Sequence, residues 1–343
     1  MEPIRRAVID IGTNSVKLLV ADVAGHDIRP IREESKQTRL GHGFYETRRL
    51  RPEAIAATAT AAAGFAATAR QCQTSSIRVI ATSAAREATN VKELTAAIKL
   101  AAGLDVEVIS GDQEADWGFK GVTSDPKLAQ TPLLLLDVGG GSTEFVLGQG
   151  EDKSFRHSFP VGTVRLMETI PCSDPPTLEE LHTCQQWLRE FLRKEVRPKL
   201  SQAAAEAKQR VEREGERFAR EPGLFTPVSE TRTGGVQLVG IGGTASILGC
   251  MEAKLETFDR ERLEATRLSA ARVSWHLERL WSLALEERKK IIGLPSSRAD
   301  VILMGVAIYE AVIEQLGFLE LRISTRGLRF AAVMDSAEDC PTT

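Results

Sequence analysis

Three short turns in this chain carry the residue types that hold phosphate. Asp10-Ile11-Gly12-Thr13-Asn14-Ser15 and Asp137-Val138-Gly139-Gly140-Gly141-Ser142 share one pattern: aspartate, an aliphatic residue, glycine, two small residues, serine. A third turn, Gly240-Ile241-Gly242-Gly243-Thr244, opens a helix-like segment, which suits a phosphate at a helix N-terminus. Glycine lets a backbone approach phosphate oxygens and take positive φ, so that successive N–H groups point inward as an anion nest. Thr13, Asn14, Ser15, Ser142 and Thr143 add hydroxyl or amide donors. One such turn is weak evidence; three, each directly after an apolar run, are strong.

The first two turns lie 127 residues apart, and each runs on into a second apolar strand, 16–20 against 143–147. An internal duplication would face the two loops across a cleft. Residues 7–10, 16–23, 77–81 and 106–109 read as strands, with a hairpin tip at Gly25-His26-Asp27. Helices are expected at 52–71 and 91–102, and Thr82-Ser83 is expected to cap a helix carrying Arg86. This alternation argues for an α/β layer architecture. Leu133 to Leu136 is unbroken apolar sequence, the mark of a strand covered on both faces. Pro175-Pro176 precedes a long helical region from 178 to about 221 whose later half is charge-dense and expected to be solvated. Gly234-Gly235 ends it; a strand at 236–241 and helices at 269–285 and 299–316 complete the pattern.

The segments DIGTNSVKLLV (10–20), ATSAAREA (81–88), VISGDQEA (108–115), LLDVGGGSTE (135–144), GIGGTAS (240–246) and SRADVILMG (297–305) resemble the exopolyphosphatase and guanosine pentaphosphate phosphohydrolase family, in its order. The resemblance implies two actin-like, ribonuclease-H-type domains, 1–125 and 126–320. A mostly helical insertion is expected at about 178–233, with a C-terminal segment, 321–343, packing back on the first domain. The tail after about 334 is expected to be disordered. No C-terminal histidine–aspartate domain is expected; His26-Asp27 has no partner histidines at metal-ligand spacing.

Hydrolysis of terminal phosphoanhydrides with Mg²⁺, or Mn²⁺ in its place, is what the family implies. Glu114 then matches the catalytic glutamate; without the family it reads as an exposed loop carboxylate. Arg86 matches an arginine that clamps a phosphoryl group. Asp137 and Glu144 match metal-proximal carboxylates, and Asp10 is either a third acidic contact or a hydrogen-bond acceptor for its own loop. Lys17 stands where the family has a basic residue, but also fits a surface strand position. Gly12, Gly139, Gly140, Gly141, Gly242, Gly243 and Thr244 fall to phosphate binding. Arg39 and Arg165 extend a positive track for a long polyanion, and Arg298 and Asp300 read as architecture. Gln113 leaves Glu114 without a like-charge neighbour along the chain, so no raised pKa is expected from that source.

With 343 residues and a formal charge of −3, the chain is ordinary in composition and is not a basic nucleic-acid binder. Its five cysteines, at 72, 172, 184, 250 and 340, form no CxxC pair and read as reduced thiols. No signal-peptide block or membrane-spanning run is evident, so a cytoplasmic location without membrane contact is expected. The expected partner is inorganic polyphosphate or guanosine pentaphosphate, with room for a homodimer. The rival readings are an ATP-binding switch or sugar kinase on the same fold, and a silent polyphosphate-binding protein.

Overall fold

Two antiparallel meanders each form one side of a mixed sheet. The computed structural model describes residues 2–214 and 235–335. In the first sheet β1 (Ile4–Ile11), β2 (Ser15–Ala24) and β3 (Asp27–Gln37) run as consecutive hairpins. β4 (Ser76–Ala81) then pairs parallel to β1, and β5 (Glu107–Val108) parallel to β4, giving the order β3-β2-β1-β4-β5. The second sheet repeats this plan with β6 (Leu133–Val138), β7 (Thr143–Gln149) and β8 (Asp152–Phe159). β9 (Gln237–Ile241) pairs parallel to β6, and β11 (Glu320–Ile323) parallel to β9; β10 (Arg267–Ser269) adds an antiparallel edge. Its order is β10-β11-β9-β6-β7-β8.

The duplication holds at atomic level. Gly12 N–H donates to Ser15 O at 3.0 Å, and Gly139 N–H to Ser142 O at 3.0 Å. Asp10 is paired with Lys17 across the first hairpin, and Asp137 with Glu144 across the second. Because side chains alternate along a strand, each sheet has two apolar faces. Ile9 and Ile11 pack with Phe44, Ile55 and Phe65 on one side, while Val8, Leu19 and Ala21 face the other. Leu134 and Leu136 face the large helical layer of the second domain; Leu133 and Leu135 face away from it. The unbroken apolar run at 133–136 is thus a strand buried on both faces, as its composition predicted.

The faces turned toward the middle of the molecule are covered by an exchange of helices. The Gly111–Thr123 helix follows β5 of the first sheet, yet its Ala115, Phe119 and Val122 pack on Leu133, Leu135 and Val146 of the second. The Leu328–Met334 helix follows β11 of the second sheet and covers Val8, Leu19 and Ala21 of the first with Phe330 to Val333. Complete burial of a side chain such as Phe119 contributes roughly 2–3 kcal/mol, so each domain is stabilised by the other's helix.

Some local readings change. Thr82 makes no capping hydrogen bond to the Ser83–Glu87 helix; its own N–H donates to Ile11 O instead. A helix not expected from the sequence runs over Gly111–Thr123; Ser110 caps it by accepting from Gln113 N–H, the first half of an S-x-x-Q box. The expected helix from 178 is broken into Leu178–Phe191, a π-turn at Leu192–Val196, and Arg197–Glu214. Its first half is core: Leu181, Leu188, Leu192 and Val196 are buried against the second domain. The remainder of that expected helix, Gly234, and the tail from 336 lie outside the described residues. Cys72, Cys172, Cys184 and Cys250 are free thiols, and no helix of the described residues is long and apolar enough to cross a membrane.

The exchanged segments meet at Gly121, where an added Cβ would lie 2.2 Å from Gly327 O. Alanine favours a helix over glycine by about 1 kcal/mol, but this contact reverses the sign. Gly121→Ala is expected to lose roughly 1–3 kcal/mol in urea unfolding, and a gain in stability would refute the close packing of the crossing.

Candidate active site

Between the two sheets lies a cleft of about 480 Å³ lined from both sides. The first domain contributes Asp10, Gly12, Thr13, Asn14, Ser15 and Lys17; the second contributes Asp137, Gly139, Gly140, Gly141, Ser142, Glu144, Gly242, Gly243 and Thr244. Glu114 enters from the first turn of the exchanged Gly111–Thr123 helix. The duplicated turns, distant in sequence, therefore face one space. Gly242 has φ of 78°, and a Cβ there would stand 2.2 Å from Asp137 Oδ1, so only glycine lets this turn close over the aspartate.

Thr143 departs from expectation. It sits one residue before Glu144 on β7, so its side chain takes the opposite face, fully buried, and donates to Val161 O at 2.6 Å. Arg86 is a neighbour of the cleft rather than a free clamp. Its Nη1 donates to Glu114 Oε2 at 3.1 Å and to Ile109 O at 3.0 Å, fixing the glutamate through an ion pair. Glu114 is thus a largely buried helix residue, not an exposed loop carboxylate.

The carboxylates in this cleft repel one another. Burial pushes the Glu114 pKa up to about 7; Arg86 opposes the rise, and Asp137 and Asp10 add to it. The like charges that the local sequence lacks come from across the cleft. Burial likewise pushes Asp137 up to about 6, against the pull of Lys17. Glu144 is raised well above the ordinary range by burial, Glu114 and Asp137, with relief from hydrogen bonds by Ser158 and Ser142. Asp10 is raised by burial and pulled back by Lys17 and Arg329. Asp10 makes no side-chain hydrogen bond to its own loop among the described residues, so of its two readings the acidic contact fits. Lys17 lines the cleft and is no surface residue; burial lowers its pKa, opposed by Asp10.

This donor set suits a hard divalent cation. Carboxylates, hydroxyls and amide oxygens line the cleft, without thiol or imidazole. Among the described residues no three acids, histidines or cysteines form a cage that could hold an ion unaided. That fits the habit of Mg²⁺, which takes one or two carboxylates and completes its shell with water and phosphate oxygens.

Other basic residues are placed differently from expectation. Arg165 does not extend a track: it donates to Gly141 O at 2.7 Å and Glu87 Oε1 at 2.6 Å and lies 4.1 Å from the Tyr45 ring centroid. It ties the two domains together. Arg39 pairs with Asp300 at 2.8 Å, beside a second cavity of about 620 Å³ that shares Asn14 with the cleft. Arg298, read as architecture, lines the cleft, with Nη2 2.6 Å from where a Gly243 Cβ would stand. Arg329 also lines it, donating to Leu18 O at 2.7 Å and Glu33 Oε2 at 3.2 Å. No local signal marks Arg329, because only the return of the C-terminal helix onto β2 brings it there.

Comparison with known proteins agrees with this geometry. The model of the Ppx/GppA phosphatase family matches residues 19–211 and 201–339. The chain belongs to the Ppx/GppA phosphatase family. Exopolyphosphatase 2 of Mycobacterium tuberculosis is 33% identical over 322 residues, covering 91% of this chain and 91% of the relative. The guanosine-5'-triphosphate,3'-diphosphate pyrophosphatase of Vibrio parahaemolyticus is 25% identical over 339 residues, covering 97% of this chain and 59% of that protein. A crystal structure of the Aquifex aeolicus member of the Ppx/GppA family superposes with a TM-score of 0.72 at 27% identity, covering 97% of each chain. The two-domain actin-like fold is therefore the family's own, and the chain is a phosphatase of that family.

The raised Glu114 pKa has a consequence for stability. The folded protein favours the proton on this group, so its contribution is complete below about pH 4.5 and is lost as pH rises through about 7. In chelator, Glu114→Gln is expected to gain roughly 1–3 kcal/mol over wild type at pH 8 and nothing at pH 4. Thermal unfolding at the two pH values tests this; an equal effect at both would contradict the burial account.

Proposed function

We propose that this phosphatase is an exopolyphosphatase, releasing terminal phosphate from inorganic polyphosphate by in-line attack of water with Mg²⁺. The observation that carries the reading is Glu114, paired with Arg86, in a cleft lined by three glycine turns. The turns offer backbone N–H groups and hydroxyls to the phosphates, and Lys17 and Arg298 add positive charge. Glu114, with a pKa near 7, orients the attacking water and takes its proton at neutral pH. As that proton arrives, Arg86 loses its anionic partner and is left to meet the charge developing on the transferred group. Asp137 and Glu144, with Asp10 beside them, would hold Mg²⁺, which when bound offsets the charge of the phosphate oxygens. Positioning and charge carry the catalysis, with no covalent intermediate.

The name and 33% identity of the mycobacterial relative support polyphosphate as substrate. Guanosine pentaphosphate is the second reading, favoured by the apolar wall that Ile247, Phe258, Leu328 and Phe330 give one part of the cleft. A chain of bare phosphates has no need of such a wall; a nucleoside does. We place the reaction in the cytoplasm, in keeping with four unpaired thiols among the described residues.

Orthophosphate release from long polyphosphate, tripolyphosphate, guanosine pentaphosphate and ATP, with Mg²⁺ or chelator, tests this. Polyphosphate is expected to turn over fastest, chelator to abolish turnover, and Glu114→Ala to lower kcat by about 10²–10⁴-fold with folding intact. Unchanged turnover in that variant would remove Glu114 as the base, and faster release from guanosine pentaphosphate would exchange the two substrates.

A further inference from the structure

Glu144 is held by two hydroxyls, both on one of its oxygens. Ser142 Oγ donates to Oε1 at 2.8 Å and Ser158 Oγ donates to the same atom at 2.7 Å. Oε2 makes no hydrogen bond among the described residues. A carboxylate with one oxygen doubly engaged has a fixed rotamer and presents the other oxygen in a fixed direction. Ser142 belongs to the glycine turn and lines the cleft; Ser158 does not line it. Ser158 stands behind Glu144, on β8, as its direct cross-strand partner.

Ser158 also touches the element that carries Glu114. A Cβ on Gly111, first residue of that helix, would lie 2.6 Å from Ser158 Cβ. Glycine at 111 therefore leaves the space that the serine side chain fills. One residue thus sits against both the helix start that aims Glu114 and the carboxylate facing it.

We propose that Ser158 is a positioning residue for the hydrolytic site, aiming Glu144 Oε2 into the cleft while seating the N-terminal turn of the Glu114 helix. Having no contact with substrate, it acts on Glu144 through its hydroxyl and on the helix start through its Cβ, which Ser158→Ala keeps. The first sheet has a counterpart in Ser35, which is paired with Lys17 on the equivalent strand. A serine thus stands across from the functional side chain in both halves of the duplication, although Ser35 itself lines the cleft.

This inference rests on the hydrolase reading, and a double-mutant cycle separates the two. Tripolyphosphate turnover is measured for wild type, Ser158→Ala, Glu144→Gln and the double variant. Ser158→Ala is expected to lower kcat about tenfold with KM within about twofold, and to have no further effect in the Glu144→Gln background. Ser158→Cys, of similar size but a weak donor, is expected to show the same loss and stands in should the alanine variant fold poorly. A readout without turnover is the rise in unfolding temperature given by Mn²⁺, expected to be smaller in Ser158→Ala than in wild type. An active wild type with unchanged kcat in both Ser158 variants, or the same loss in the Glu144→Gln background, would overturn the proposal. A wild type that releases no phosphate from any phosphoanhydride would instead sink the hydrolase reading.

Discussion

Asp10, Glu114, Asp137 and Glu144 are largely buried side chains that share one cleft, and that crowding of negative charge governs the rest of the site. Carboxyl groups this close and this buried cannot all ionise at little cost. Lys17 opposes the charge at Asp10 and Asp137, and Arg86 opposes it at Glu114. Glu144 has only two serine hydroxyls to relieve it. The cleft therefore favours protons or a cation until a ligand arrives, and phosphate oxygens can enter only where positive charge or N–H groups meet them. Burial first, and this crowding second, push the Glu114 pKa up to about 7, and such a group suits the removal of a proton from water at neutral pH.

The duplication explains how one fold supplies both the acids and their counter-charges. Asp10, Lys17 and Ser35 form one cross-strand row, and Asp137, Glu144 and Ser158 form its counterpart. The rows differ in kind only at the middle position, lysine in one half and glutamate in the other. On the proposed reading, that single difference sets a cation from the protein in one row and a second carboxylate for Mg²⁺ in the other. The helix exchange locks the two rows face to face, because each domain covers its inner sheet with a helix from the other. Glu114 arrives by that exchange: it follows the first sheet in sequence but lies over the second in space.

Much of this is legible in residues 10–15 and 137–142, because a strand, a glycine turn and a second strand form a local unit whose hydrogen bonds close within six residues. The alternating buried strands and the Ala-rich helix from Pro52 are legible for the same reason. What depends on distant contacts is not. Thr143 and Ser142 look alike in sequence, yet strand alternation sends only Ser142 to the cleft. Arg165 reads as a free cation until the fold sets Glu87 and Tyr45 beside it. The raised pKa of Glu114 has no source within its own segment, since the burial that drives it and the nearness of Asp137 and Asp10 that adds to it arise only when the two domains meet. Arg298 reads as architecture in the sequence, and its reach to Gly243 appears only when the third glycine turn is in place.

The most direct measure of the central claim is the number of protons released when Mg²⁺ and imidodiphosphate bind together. Calorimetry at pH 6.5 in two buffers of different ionisation enthalpy gives that number. If the cleft holds its excess acid as protonated carboxyl groups, binding releases protons, and fewer of them in Asp137→Asn. Binding with no release of protons, or with the same release in that variant, would contradict the account.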